Sequence, residues 1–385
     1  MIPVPKQRLA QVQSHFEADL KLGGALSIWQ GEEEILHLVG GHRDRQRTLP
    51  WEEDTLVPVW SCTKGPAAVC VLAALTKAGL GPETRVAEIW PGFAQGGKGA
   101  VTVAQVLSHQ AGLSALDQRV FIHDYQAVIA AIEAQVPQWS LGSGHGYHPR
   151  TVGFLVDELV RRLGKAHSLG HYWQENFAEP LGWDVWIGLP ESEHHRVATL
   201  VPGRVDSGSP AEEAAFYAAF ADRDSLTQRS FTSPTGLHAV ADMNHSEAWQ
   251  AGYPAMGGVA SARGLAAFYA LLASGGNCAG TPFFNASQLD AMSATLTSGQ
   301  DAVLLRETAF AVGFMKDPVN AQGSKTRRLF GPNTEAFGHP GAGGSHAFAD
   351  PATGIGFAYV MNQMERSVFP SEATMRLVRA LYDGE

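Results

Sequence analysis

Apolar residues recur along this chain with two different periods. Leu9, Val12, Phe16 and Leu20 lie three to four residues apart, which predicts an amphipathic helix at the N-terminus. Two short strand-like runs follow, Ala25 to Trp29 and Ile35 to Val39, separated by Gly31 and three glutamates, as in a hairpin. Near the other end, Gly354 to Met361 reads as a strand, and Met375, Leu377, Val378 and Leu381 place a helix over Glu372 to Tyr382. A chain that opens helix–strand–strand and closes strand–helix suggests a sheet covered by its two terminal helices. The middle has a helical texture: Val101 to Leu107, Tyr125 to Ala134, Thr151 to Leu163, Ala211 to Phe220 and Ala262 to Leu272 carry helical spacing. Turn formers such as SGSPAEE and SFTSPTG interrupt the stretch from about 200 to 255. The expected fold is α/β: an antiparallel sheet domain from residues 1–80 and 255–385, flanked by the terminal helices, with an inserted all-helical domain over 81–254.

Composition narrows this picture. Of 385 residues, 45% are hydrophobic and 17% charged, and that much apolar material supports a large core and excludes disorder as the main state. The balance of 28 basic against 38 acidic residues gives a net charge of −10, which argues against nucleic acid or an anionic membrane as partner. Three cysteines, Cys62, Cys70 and Cys278, are too few and too scattered for a disulfide framework or a zinc ribbon. No apolar run approaches the roughly 18 to 20 residues of a membrane span. The first residues lack the apolar core of a secretory signal, so a soluble, cytoplasmic protein is expected.

Ser61-Cys62-Thr63-Lys64 is the most informative tetrapeptide. A serine hydroxyl is a weak nucleophile until a neighbouring base takes its proton, and on a helix residues three apart share a face. Lys64 can therefore reach the Ser61 oxygen. Tyr147 is a second candidate, a phenol at the end of a loop containing Gly142, Gly144 and Gly146 and just before the helix at Thr151. The third is Gly338-His339-Pro340-Gly341-Ala342-Gly343-Gly344-Ser345, where dense glycine lets the backbone approach a ligand and its N–H groups polarise a carbonyl. Pro340 suggests an edge strand or bulge there. Among 15 histidines, His145-x-x-His148 and His194-His195 are the closest pairs, but neither forms HExxH nor joins a clear third ligand, so no metal or cofactor is expected. No serine sits in a G-x-S-x-G elbow.

In their order along the chain these elements resemble the serine β-lactamase and penicillin-binding superfamily, and most closely its class C-like branch, which includes the family VIII carboxylesterases. Leu107-Ser108-His109-Gln110-Ala111-Gly112-Leu113 is similar to the LSHxxGL segment of that branch, and Met256-Gly257-Gly258-Val259-Ala260-Ser261 to its GG-x-x-S segment. The resemblance implies that Ser61 is acylated, with Lys64 as its general base or the partner that lowers its barrier and Tyr147 as a second base or proton donor, and it leaves open which of the two is the general base. It implies an oxyanion hole of the Ser61 and Ala342 N–H groups, and puts His339-Pro340-Gly341 where the family has K-T-G. Two positions depart: Pro149 replaces an asparagine, and His339 replaces a lysine, so the cation that greets a substrate carboxylate is missing or pH-dependent. Lys325-Thr326 offers a K-T pair, but Arg327 follows in place of glycine.

The expected function is hydrolysis of small or short-acyl carboxylic esters through a Ser61 acyl-enzyme, with pocket walls from loops near 115–125 and 200–255. A small-molecule ester is the expected partner, and the sequence sets no oligomeric state. The alternatives are a β-lactamase, D-amino-acid peptidase or acyltransferase of the same superfamily, or a non-catalytic binding protein that keeps the fold.

Overall fold

The computed structural model describes residues 2–203 and 213–383. Along the chain, α1 (Lys6–Asp19) leads into the hairpin β1 (Gly23–Gln30) and β2 (Glu33–Gly41), then β3 (Val57–Trp60) and α2 (Lys64–Lys77). The middle carries α3 (Tyr125–Ala134), α4 (Thr151–Gly164) and β4 (Val185–Trp186). Then come β5 (Gly258–Ala260), α5 (Ala262–Ala273), β6 (Thr297–Gln300), β7 (Glu307–Phe310) and β8 (Met315–Lys316). The chain closes with β9 (Phe337–Pro340), β10 (His346–Asp350), β11 (Ile355–Met361) and α6 (Glu372–Tyr382). The expected helix over 211–220 is described from Ala214 to Ala221, and most of the SGSPAEE turn lies outside the described residues.

Among the described residues, eight strands form one antiparallel sheet in the order β2-β1-β11-β10-β9-β8-β7-β6. Alternation along β11 divides the helices between its faces. Tyr359 points to α1, where Phe16 meets its ring edge-on at 6.3 Å. Phe357 stacks on Phe348, whose ring also meets Tyr382 of α6. The terminal helices thus share one face, and Arg376 ties them by donating to both Asp19 carboxylate oxygens at 2.9 and 2.7 Å. On the other face Gly356 lies against α5, where a Cβ would come within 2.3 Å of Ala270 N. Glycine there lets the helix backbone settle directly on the sheet.

Among the described residues, the middle of the chain carries helices and one strand, β4. Val185–Trp186 pairs with β5, completing a small sheet in the order β3-β5-β4. A β-branched and an aromatic residue suit that position, and β4 satisfies backbone groups of β5 that β3 leaves open. The small sheet holds Trp60, the residue before Ser61, against Gly258. Among the described residues no helix is long and apolar enough to cross a membrane.

Candidate active site

The chain turns sharply at the end of β3. Trp60 has φ 50° and ψ −128°, a conformation that disfavours a large side chain by about 1–3 kcal/mol. Thr63 clamps the turn: its hydroxyl donates to Trp60 O at 2.5 Å and accepts the Gly258 N–H at 2.9 Å. Ser61–Thr63 forms one 3-10 turn and α2 begins at Lys64, so Ser61 and Lys64 share a face, with Nζ 3.1 Å from Oγ. The amine also donates to Pro149 O at 3.1 Å and Ala255 O at 2.7 Å. Lys64 is only 5% exposed, and burial lowers its pKa well below that of a free lysine. Pro149, standing where the related pattern has asparagine, contributes through its carbonyl.

Tyr147 arrives from the opposite side, and its hydroxyl donates to Ser61 Oγ at 2.8 Å. Burial raises its pKa, opposed by the hydrogen bond to Ser61, so it is a phenol at neutral pH. Its glycine-containing loop is held at many points. The Asp301 carboxylate accepts the Tyr147 N–H at 3.0 Å, those of Val303 and Leu304 at 2.8 Å each, and the Thr308 hydroxyl at 3.0 Å. His109 takes the Gly146 N–H on its carbonyl and the His148 N–H on Nδ1, each at 3.1 Å. His148 Nε2 in turn accepts the Leu113 N–H at 2.9 Å. The LSHQAGL segment is therefore the scaffold of the tyrosine loop.

The glycine-rich turn forms the third side. It follows an interior strand rather than the edge or bulge expected from Pro340: β9 pairs with β10 along its length and with β8 at Gly338. Proline is tolerated because β8 pairing ends two residues before it. Gly341 is required by close approach, since a Cβ would lie 2.4 Å from Val59 O. The Gly341, Gly343 and Gly344 amides donate to Ser345, Ser367 and Gly341 carbonyls, whereas Ala342 lines the Ser61 cavity. His339 also lines it, and of the two expectations there, a missing or a pH-dependent cation, its protonation state favours the first. Burial first, then the nearby Lys64, lowers its pKa to about 3, and Nδ1–H donates to Pro340 O at 2.8 Å. It is neutral at pH 7.

About 490 Å³ of empty space lies over Ser61, the open solvent at the mouth included. Phe231, Leu304, Met315, Leu329, Val368 and Phe369 supply most of its wall, so the surroundings are apolar and aromatic rather than glycine-rich. Among the described residues, only Phe231 comes from the expected 200–255 stretch. The 115–125 loop lies elsewhere, pinned to residues 233–235 by Leu116 N–H on Ser233 Oγ and Ile122 N–H on Thr235 O, and lines a separate cavity through Ile122 and His123. Asp301 and Arg327 were missed by sequence reasoning. Asp301 has one signal, an aspartate followed by backbone amides that its carboxylate accepts in an Asx-type turn. Lys325 is occupied in a buried ion pair with Asp317 at 3.0 Å. His145 lies between the Thr297 and Thr308 hydroxyls, and among the described residues no three side chains gather as a metal site.

Comparison with known proteins identifies the family. The β-lactamase family model matches residues 12–381. The chain belongs to the β-lactamase family. This β-lactamase-family chain is 32% identical over 348 residues to the esterase/β-lactamase LipL of Mycobacterium tuberculosis (strain ATCC 25618 / H37Rv), covering 89% of itself and 77% of LipL. A family VIII carboxylesterase structure superposes with a TM-score of 0.85 at 33% identity, covering 99% and 98% of the two chains. A penicillin-binding protein homologue from Caulobacter crescentus superposes at 0.84 with 35% identity, covering 100% and 99%. The protein is a hydrolase of the β-lactamase fold.

Proposed function

We propose that this β-lactamase-family protein is a serine carboxylester hydrolase that acts on small or short-acyl esters through an acyl-enzyme on Ser61. The observation that carries this reading is the convergence of Lys64 Nζ, at 3.1 Å, and Tyr147 OH, at 2.8 Å, on Ser61 Oγ at an apolar cavity. Two of the similar proteins are named as esterases, which supports the same reading.

In this reading neutral Lys64 takes the Ser61 proton as Oγ bonds to the ester carbon. The N–H groups of Ser61 and Ala342 receive the developing oxyanion. As the intermediate collapses, the carbon–alkoxide bond breaks and Tyr147 gives its proton to the departing alcohol. The resulting tyrosinate is stabilised by the ammonium of Lys64, which lies 4.9 Å from the ring centre. A water then yields a proton to the tyrosinate as its oxygen attacks the acyl carbon; when that intermediate collapses the carbon–Oγ bond breaks, Lys64 returns its proton to Ser61 Oγ and the carboxylic acid leaves. The division of roles follows burial: it favours a neutral amine on Lys64, a competent base, and a protonated phenol on Tyr147, a competent acid.

The test is Ser61→Ala assayed with p-nitrophenyl acetate and butyrate. Loss of turnover is expected, and turnover retained at the wild-type rate would overturn the assignment. The neutral His339 and the missing asparagine at 149 favour simple esters over β-lactams, and nitrocefin tests that preference.

A further inference from the structure

Phe231, on the helix Leu226–Thr232, lines the Ser61 cavity, and its ring lies 6.5 Å from that of Tyr147. The start of that helix is tied to the turn that holds the tyrosine. Thr227 Oγ1 donates to Val303 O at 2.7 Å, and the Val303 and Tyr147 N–H groups both donate to the Asp301 carboxylate. The far end of the helix is less self-sufficient. The last carbonyls of a helix have no N–H donor within it. The turn beyond passes through Leu237 at φ 52°, the left-handed region that a leucine disfavours.

Arg150 serves that end. It stands between Pro149, whose carbonyl accepts from Lys64, and the first residue of α4, and it is buried. Nη1 donates to Phe231 O and to Leu237 O, each at 3.3 Å, and Nη2 donates to Gly236 O. Nε is buried without an acceptor among the described residues. Burial lowers the pKa to about 10, opposed by the nearby Tyr253 and by no carboxylate among the described residues, so Arg150 is a cation at neutral pH. His238 is a further titratable group that feels its charge. A buried cation that meets only carbonyls is unfavourable for the fold, whereas an apolar side chain of similar length would not be. What the guanidinium supplies is position: one rigid fork joins three carbonyls of the Phe231 segment to the residue beside Pro149.

We infer that Arg150 is a positioning residue of the active site: it holds the Phe231 wall at the distance from Tyr147 and Ser61 that a small ester needs, and so acts on substrate binding through Phe231. The stretch 147–150 delivers the Tyr147 hydroxyl to Ser61 Oγ and the Pro149 carbonyl to Lys64, and Arg150 fixes the wall to that same stretch. Wall and reacting groups are thereby referred to one piece of backbone. Methionine at position 150 would fill much of the space but leave the Phe231, Gly236 and Leu237 carbonyls without these donors, and the wall would be free to move outward. The inference rests on the ester-hydrolase reading above.

The test is a double-mutant cycle with p-nitrophenyl butyrate, built from Arg150→Met and Phe231→Ala. Arg150→Met is expected to raise KM about 10-fold, the worth of one hydrogen bond from a charged donor, with kcat within about 3-fold of the wild type. In the Phe231→Ala background the same substitution is expected to change KM by less than about 2-fold, because no ring is left to position. Arg150→Lys, which keeps the charge but reaches fewer carbonyls, is expected to raise KM by a smaller factor, and it supplies the same comparison if Arg150→Met does not fold. An equal rise of KM in both backgrounds, an unchanged KM, or a loss in kcat alone overturns the inference while leaving ester hydrolysis standing. Hydrogen–deuterium exchange over 226–237 is a second readout that needs no turnover. Faster exchange there in Arg150→Met is expected, and unchanged exchange overturns the inference. If the wild type cleaves no ester, the hydrolase reading fails and the exchange result alone decides whether Arg150 holds the wall.

Discussion

On the side of the cavity built by α2, the tyrosine loop and β9, burial removes charge. Lys64 is pushed toward its neutral amine, Tyr147 is held as a phenol and His339 is neutral at pH 7. On the side built by β7, β8 and the segment through Arg327, burial meets cations that keep their charge, and Lys325 and Arg327 share Asp317. The first wall needs groups that exchange a proton within a reaction cycle, which requires pKa values drawn toward the working range. On the second wall the guanidinium of Arg327 keeps its charge, because arginine stays protonated at neutral pH even where burial lowers its pKa to about 10. Similar burial therefore has opposite outcomes on the two walls, according to which side chains it acts upon.

Variants of the first wall are expected to have the largest effects. Lys64→Met should lower kcat by about 10³-fold or more, since no other described base contacts Ser61 Oγ. Single-turnover acylation is the measurement, and an unchanged acylation rate would remove Lys64 from the mechanism. Tyr147→Phe keeps the ring and its packing on Phe310 but loses the hydroxyl, and should slow turnover by about 10²-fold. Asp301→Ala, which leaves the Tyr147, Val303 and Leu304 amides without their acceptor, should cost about 3 kcal/mol of stability in urea titrations with the slope unchanged.

The smallest effect concerns pH. His148, His339 and His346 are buried with pKa values near 3, 3 and 4, and burial lowers that of His109 well below its ordinary 6.5. Below that ordinary value the unfolded chain binds protons that the folded protein refuses. These histidines therefore contribute full stability above about pH 6.5 and lose it progressively as the pH falls toward 3 to 4. The melting temperature should drop between pH 7 and pH 5. His346→Gln, which keeps a donor for Leu329 O while removing one titration, should make the decline shallower.

The meeting of Ser61 and Lys64 was legible because one helical turn fixes their spacing, and three residues of sequence decide it. The terminal helices were legible for the same local reason: each has a clear apolar stripe. Tyr147 was legible as a residue on a loop before a helix, but its contact with Ser61 joins positions 86 apart. Asp301 reaches Tyr147 across 154 positions, and nothing local signals that separation. Strands β6 to β8 (TSGQ, ETAF and MK) are too short and mixed for a two-residue period to register. The cavity walls were misplaced because they belong to this unread region and to the turn at 368–370. Arg327 was noticed only as the residue that spoiled a K-T pair, because its place in the cavity wall follows from contacts with Glu307 and Asp317 that nothing local signals.

Covalent capture at Ser61 tests the central claim most directly. The protein is mixed briefly with p-nitrophenyl butyrate, quenched in acid, digested and analysed by mass spectrometry. The account predicts a butyryl group on the peptide containing Ser61, absent from Ser61→Ala. Butyrylation of a different residue that sustains turnover, or undiminished turnover by Ser61→Ala, would contradict it.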